Sequence, residues 1–190
     1  LIFIGRIPLM TERIFSLELF PPKTDEGAAK LRDTRRQLAQ LKPRFFSVTF
    51  GAGGSTRDRT LETVVEIQGE GLDAAPHLSC IGSTKDNIRE ILETYKSHGI
   101  RHIVALRGDQ PSGVADPGEF RFANELVEFI RLETGDWFDI EVAAYPEMHP
   151  QARNWREDLS HFKNKVEAGA NAAITQYVFN ADAYFNFVDE

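Results

Sequence analysis

The chain has 190 residues, 42% hydrophobic and 27% charged, with a net charge of -7, the size and balance of one globular domain or a large part of one. Its Lys and Arg residues form no basic block and are interspersed with acids, which speaks against nucleic acid or an anionic membrane as a partner. A lone cysteine, Cys80, excludes an intrachain disulfide and favours a reducing compartment, the cytoplasm, and no run is apolar enough to span a membrane. The stretch Leu1 to Met10 lacks a small-residue cleavage site, so it does not read as a signal peptide. Residues 1–12 read as an N-terminal extension, with Met10 a candidate start, and 13–190 as the folded unit.

In chain order, Ile14 to Phe20 is the first strand-like run, stopped by Pro21-Pro22, with Glu18 a lone carboxylate among apolar neighbours. A helix is expected from about Gly27 to Leu41, with Pro43 at its exit. Phe45 to Phe50 is the second strand, with Thr49 near its end, followed by the nearly bare loop Gly51-Ala52-Gly53-Gly54. Ser55 with Asp58, and later Ser83 with Asp86, have the spacing of capping boxes. Between them lie a helix bearing Leu61, Val64 and Val65 and a third strand, Ala74 to Cys80, containing His77. Ile88, Ile91, Leu92 and Tyr95 then form the stripe of a helix packed on a sheet, closed by Gly99.

The fourth strand is the apolar run Ile103 to Leu106, which stops abruptly on Arg107, Gly108 and Asp109. Charges at such a point must be solvated, paired or turned to a ligand. Asp116-Pro117 suits the start of a fourth helix with Phe122, Leu126, Phe129 and Ile130 on its inner face. Ile140 to Tyr145 is strand five, and Asn154 to Ala168 a helix burying Leu159, Phe162 and Val166. Strand six is expected over Ala172 to Phe179, with a last helix from about Asp182.

Strand and helix alternate strictly in six units of about thirty residues, which implies an α/β fold with a parallel sheet and right-handed crossovers. A doubly wound sheet gathers its site at one switch point, whereas a barrel draws on most strands. Here every strand carries a polar group at or near its C-terminal end: Glu18, Thr49, His77, Arg107 with Asp109, Tyr145 and Gln176. That favours a TIM-type (β/α)8 barrel, of which six of the eight units are present, so the chain reads as truncated.

Glu18 and Asp109 are candidates for acid and base work, because burial between Leu17 and Leu19 should raise the pKa of Glu18. The alternative is that each pairs with a local Arg or caps a helix. His77 could be a satisfied core histidine, and with the two acids it lacks the spacing of a metal set. The glycine loop could approach a phosphate or a flat ring, but it has neither the Lys of a P-loop nor a G-x-G-x-x-G spacing, so a flexible turn is at least as good a reading. The tripeptide Arg107-Gly108-Asp109, also known from adhesion ligands, does not fit that role at the end of a buried strand. Lys163 and Lys165 fall on a helix, which argues against a Schiff-base lyase.

Several segments together resemble methylenetetrahydrofolate reductases of the bacterial type. They are Phe15-Ser16-Leu17-Glu18-Leu19-Phe20-Pro21-Pro22, Ser47-Val48-Thr49-Phe50-Gly51-Ala52, Pro76-His77-Leu78-Ser79-Cys80 and Leu106-Arg107-Gly108-Asp109. Ala143 to Pro150 and Ile174-Thr175-Gln176-Tyr177 complete the set, in the family's order and spacing from about Ile14 onward. The resemblance implies an FAD-bearing barrel, in which NAD(P)H reduces the flavin and the flavin reduces 5,10-methylenetetrahydrofolate to 5-methyltetrahydrofolate. It makes Glu18 the acid that helps open the folate's five-membered ring, and puts Asp109 by the flavin and folate, favouring the developing cation. Thr49 matches a nicotinamide position and Gln176 a folate and nicotinamide position. Phe50, Ala52, His77, Arg107, Gly108, Asp109, Ala123, Tyr145, His149, Ala152, Asp158 and Lys165 fall at FAD-contacting positions. Arg107 and Lys165 suit a pyrophosphate and Tyr145 a ring face. No metal is implied, and the family suggests a homo-oligomer.

The family often has Tyr where Phe50 stands, and a basic residue where Asn164 stands. Its last two βα units are absent, which would leave sheet edges unpaired and make this piece alone poorly folded or inactive. Competing readings are a flavin- or folate-binding barrel without turnover and an unrelated barrel lyase or hydrolase.

Overall fold

The computed structural model describes residues 2–3, 14–51, 56–109 and 118–190. Strand β1 (Ile2–Phe3) precedes β2 (Leu17–Leu19), α1 (Asp25–Ala39), β3 (Phe46–Val48), α2 (Arg57–Gly69), β4 (Ala74–Ser79) and α3 (Lys85–Ser97). The chain continues through β5 (His102–Leu106), α4 (Ala123–Thr134), β6 (Asp139–Ala144), α5 (Trp155–Glu167), β7 (Ala172–Thr175) and α6 (Ala181–Asp189).

The sheet order is β1-β7-β6-β5-β4-β3-β2. From β2 to β7 every pairing is parallel and joins strands consecutive in sequence, and only β1 is antiparallel, against β7. A doubly wound sheet reverses its strand order part-way. With no reversal, right-handed crossovers leave all the helices on one face, and the sheet curls as the wall of a (β/α) barrel. Six of the eight units of a TIM-type barrel are thus laid out in order.

Strand alternation divides the side chains between two cores. Outward residues such as Phe46, Val48, Leu78, Ile103, Ile140 and Val142 pack with Val64, Ile67, Ile88, Leu92, Leu126 and Ile130 of the helices in one large cluster. Inward, Phe45, Ala75 and Val104 form a smaller cluster with Leu106 and Ile174 against it. Because Leu17 and Leu19 belong to the outer cluster, the residue between them, Glu18, faces the interior. At the other end of that interior, His102 stacks on Phe45 with ring centroids 5.4 Å apart, and its Nδ1 lies 3.3 Å from Oε1 of the buried Glu141.

Several local expectations are corrected. Thr24 caps α1 through Gly27 N–H (3.1 Å), so that helix begins at Asp25, before Gly27. The cap of α3 is Thr84, whose hydroxyl accepts from Asn87 N–H at 3.2 Å, and not Ser83, which instead accepts from the Asn87 side chain. Helix α4 begins only at Ala123, with Phe122 as its N-cap and 43% exposed rather than in the core. Leu159, Phe162 and Val166 are half-buried, and β7 stops at Thr175, leaving Tyr177 and Phe179 exposed. One of the two sheet edges expected to be bare, that of β7, is paired with β1. Met10, Ser55, Gly53, Gly54 and the Asp116-Pro117 pair lie outside the described residues.

Arg35 of α1 is 1% exposed, and its guanidinium donates to both carboxylate oxygens of Glu70 (2.8 and 2.5 Å) and to Glu66 (2.6 Å), which joins α1 to α2. Arg35→Ala is expected to cost about 2 kcal/mol, the range for hydrogen bonds to charged groups, read as a lowered denaturant midpoint. Arg35→Lys is expected to restore little, because a point ammonium cannot reproduce the two-pronged contact.

Candidate active site

The site is built where β5 and β6 end. After Leu106 the chain turns through Gly108, whose φ of +82° is in the left-handed region. A Cβ there would lie 1.8 Å from Ser79 Oγ, so only glycine lets this turn lie against β4. Ser79 Oγ and Ile81 N–H both donate to the Arg107 carbonyl, at 2.9 and 2.8 Å. The Arg107 guanidinium reaches across to Oε1 of Gln151 (2.7 Å).

Beyond β6, the segment Tyr145 to Ala152 folds into a cap. Met148 N–H donates to the Tyr145 carbonyl, with Met148 at φ +79°. His149 N–H donates to Asp158 Oδ2 (2.8 Å), and the Tyr145 and His149 rings meet edge to face at 4.4 Å. Asp158 is fixed on α5, which starts cleanly because Asn154 accepts from Glu157 N–H at 3.0 Å.

These pieces surround a cavity of about 520 Å³, within the usual range for a cofactor or small-molecule site. Of the residues expected to contact a flavin, Arg107, Gly108, Asp109, Ala123 and Tyr145 line it, as do His149, Ala152, Asp158 and Lys165. Residues spread over some sixty positions are thus brought to one place. Ala52 lies outside the described residues. Phe50 and His77 do not line this cavity. They belong to the neighbouring strand ends, as do Glu18 and Thr49, while Gln176 follows β7 on the other side.

Burial sets the electrostatics. Lys165 starts from a helix, yet its Nζ donates to the Ala143 carbonyl of β6 at 2.5 Å, so its amine does reach a strand end. Desolvation lowers its pKa to about 8, with Asp158 opposing the shift. His149 is lowered and the Tyr145 hydroxyl raised, each mainly by burial. Glu18, on the inner face, has its carboxyl raised by burial, in the direction an acid needs. His77 is pushed down to about 4 by the same cause, so its ring is neutral near pH 7. Its Nε2 faces Glu18 Oε2 at 3.5 Å. Thr49 is held by its backbone, N–H to Leu19 and carbonyl to the Thr60 hydroxyl. Gln176 N–H donates to the Ala144 carbonyl at 2.8 Å, which keeps it beside β6.

The profile of one protein family, described as methylenetetrahydrofolate reductase, matches residues 4–190. The chain belongs to the methylenetetrahydrofolate reductase family. It is 49% identical over 175 residues to 5,10-methylenetetrahydrofolate reductase of Escherichia coli (strain K12), covering 92% of this chain and 58% of that protein. A plant relative, methylenetetrahydrofolate reductase (NADH) 1 of Arabidopsis thaliana, is 38% identical over 98% of this chain and 34% of its own length. The chain therefore spans little more than half the length of its bacterial relatives. Among solved structures, an uncharacterized protein from Clostridium thermocellum that binds two copies of 5-methyl-5,6,7,8-tetrahydrofolic acid superposes with a TM-score of 0.65. At 15% identity, covering 93% of this chain and 58% of that one, it attests the fold alone.

Within this family member, the cavity also has walls that sequence reasoning passed over: Phe122, Asn124, Gln151, Arg153, Glu157 and His161. Phe122 has the periodicity of a core residue, but it stacks on His161 with centroids 5.3 Å apart. A signal was present for His161. Positions 158, 161 and 165 share one helix face, so Asp158 and Lys165 already marked the side of α5 that meets the cavity.

Proposed function

We propose that this chain carries the flavin site and the catalytic acid of a methylenetetrahydrofolate reductase, which uses NAD(P)H to reduce 5,10-methylenetetrahydrofolate to 5-methyltetrahydrofolate. The observation that supports this best is the convergence of the expected flavin residues on one cavity at the ends of β5 and β6. The cavity suits FAD chemically, because Lys165 and Arg107 offer cations for a pyrophosphate and Tyr145 an aromatic face. Gly108 adds a close backbone approach. When bound, FAD supplies a two-electron carrier between the nicotinamide and the folate.

The chain's own residues do the rest. Glu18, whose carboxyl burial shifts toward the protonated form, donates a proton to the folate nitrogen that leaves when the five-membered ring opens. Asp109, at the cavity wall, favours the cationic species that this opening generates. Thr49 and Gln176, at the ends of β3 and β7, hold the nicotinamide, and Gln176 also the folate. The protein is proposed to work in the cytoplasm as a homo-oligomer. The name of the plant relative specifies NADH, and NADH is the donor to try first.

The test is a visible spectrum of protein made from the complete reading frame. A flavin spectrum that bleaches anaerobically with NADH and recovers on adding methylenetetrahydrofolate supports the reading. Protein that is colourless and takes up no added FAD removes it, and flavin without turnover leaves a binding module.

Lys165 gives a pH dependence with a definite sign. Its amine titrates at about 8, and a bound pyrophosphate favours the charged form and so raises that value. FAD affinity is therefore expected to be flat below pH 8 and to fall above it, by up to about tenfold per pH unit. Flavin fluorescence titrations should show that slope in the wild type and lose it in Lys165→Met.

A further inference from the structure

We propose that His77 is the positioning partner of Glu18, holding Oε2 of the carboxyl through Nε2 so that the other oxygen is turned to the folate. The inference rests on the proposed role of Glu18 as the acid. It starts from a buried polar atom. The His77 residue is 7% exposed, and Nε2 has no hydrogen-bond partner among the described residues. An imidazole nitrogen left dry and unpaired is costly. The facing group is Oε2 of Glu18 at 3.5 Å, too long for a strong hydrogen bond, yet within reach of a small rotation of either side chain. Contacts of catalytic groups are often loose in an empty site and tighten when substrate excludes water.

The two residues differ in freedom. His77 lies in the C-terminal half of β4, opposite Val104 of β5 in the register, and every residue of that strand is buried. The Glu18 side chain is half-exposed and lies two strands away, across Ser47. A fixed ring beside a movable carboxyl is how a general acid is aimed. The protonation states are compatible. Burial keeps the ring neutral and favours the neutral carboxyl, and neither shift has a charged residue among its causes. In the Nε2–H tautomer the ring donates to Oε2 of the carboxylic acid, whose proton then sits on the other oxygen, and goes on donating to Oε2 of the carboxylate left after that proton is given up. The contact is thus kept on both sides of the proton transfer.

The test is a double-mutant cycle in the flavoprotein made from its complete reading frame, with variants His77→Leu, Glu18→Gln and both. Flavin content and the rate of flavin bleaching by NADH are read alongside folate reduction. His77→Leu is expected to slow folate reduction roughly 100-fold, the lower range for acid catalysis, relative to flavin bleaching measured in the same variant, so that any loss in flavin handling is divided out. In the Glu18→Gln background the same change should cost less than about threefold, because the group it positions is gone. His77→Gln, which restores a polar atom near the Nε2 position, should recover about tenfold of the loss, and it gives the comparison if the leucine variant does not fold. Losses that multiply in the double variant overturn the inference while leaving Glu18 as the acid. A Glu18→Gln protein that reduces folate at the wild-type rate overturns the acid assignment and, with it, this inference.

Discussion

Glu18→Gln in the full-length protein is expected to lower the rate of folate reduction by roughly 10²- to 10⁴-fold, the usual contribution of a positioned general acid. The amide matches the carboxyl in shape and leaves Leu17 and Leu19 in their outer cluster, so fold and flavin content should be unchanged. Oxidation of NADH by the flavin needs no proton from Glu18 and should continue. The two half-reactions therefore separate, which a general loss of structure would not produce. The pH dependence follows from the direction of the Glu18 shift. The active form is the protonated one, and burial raises its pKa, so the rate should be level at low pH and fall as pH rises through that raised value. In Glu18→Gln that descending limb should vanish. Stopped-flow measurement of the folate half-reaction across pH is the check, and a limb that survives in the variant would assign it to another group.

Gly108→Ala carries the largest expected structural effect. Its φ of +82° penalises any Cβ, and the added atom would stand 1.8 Å from Ser79 Oγ. The serine can move only by giving up its 2.9 Å bond to the Arg107 carbonyl. Backbone strain and overpacking together amount to about 2–5 kcal/mol, and the turn that moves carries Arg107 and Asp109 at the cavity wall. A lower melting temperature with loss of bound flavin is the expected outcome. Gly82→Ala is the control, because its φ of +71° is similar but nothing lies within 4 Å of the added Cβ. That variant should lose only about 1–2 kcal/mol and keep its flavin. Equal losses at both positions would show that the close approach to Ser79 is not what matters.

Much of this architecture was readable in the sequence because it rests on local patterns. Strict alternation of short apolar runs with stripes such as Ile88-Ile91-Leu92-Tyr95 implied parallel strands covered by helices, and those residues are all buried in α3. The polar residue at each strand end marked one face of the sheet, as barrel geometry requires. Local patterns fail where partners are distant or neighbours compete. Ser83 and Thr84 both offer a capping hydroxyl, and only the backbone geometry of the structure shows that Thr84 is the one used. Phe122 has the spacing of a core residue, but α4 starts just after it, so its ring faces the cavity and His161. Arg35 reads as a surface charge until α2 brings two glutamates over it. The approach of His77 to Glu18 spans two strand pairings and leaves no trace in sequence spacing.

The unbroken strand order bears on how the chain folds. Each strand from β3 onward pairs with the one made immediately before it. Each parallel pairing among the described residues therefore closes a loop only one βα unit long. During synthesis every new unit meets a ready template, and the sheet can grow by accretion from the N-terminal side. Of the cavity's framework, β5 and the turn at Gly108 would be laid down first and α5 with Lys165 later, so the capacity to hold an anion would emerge only once α5 is in place.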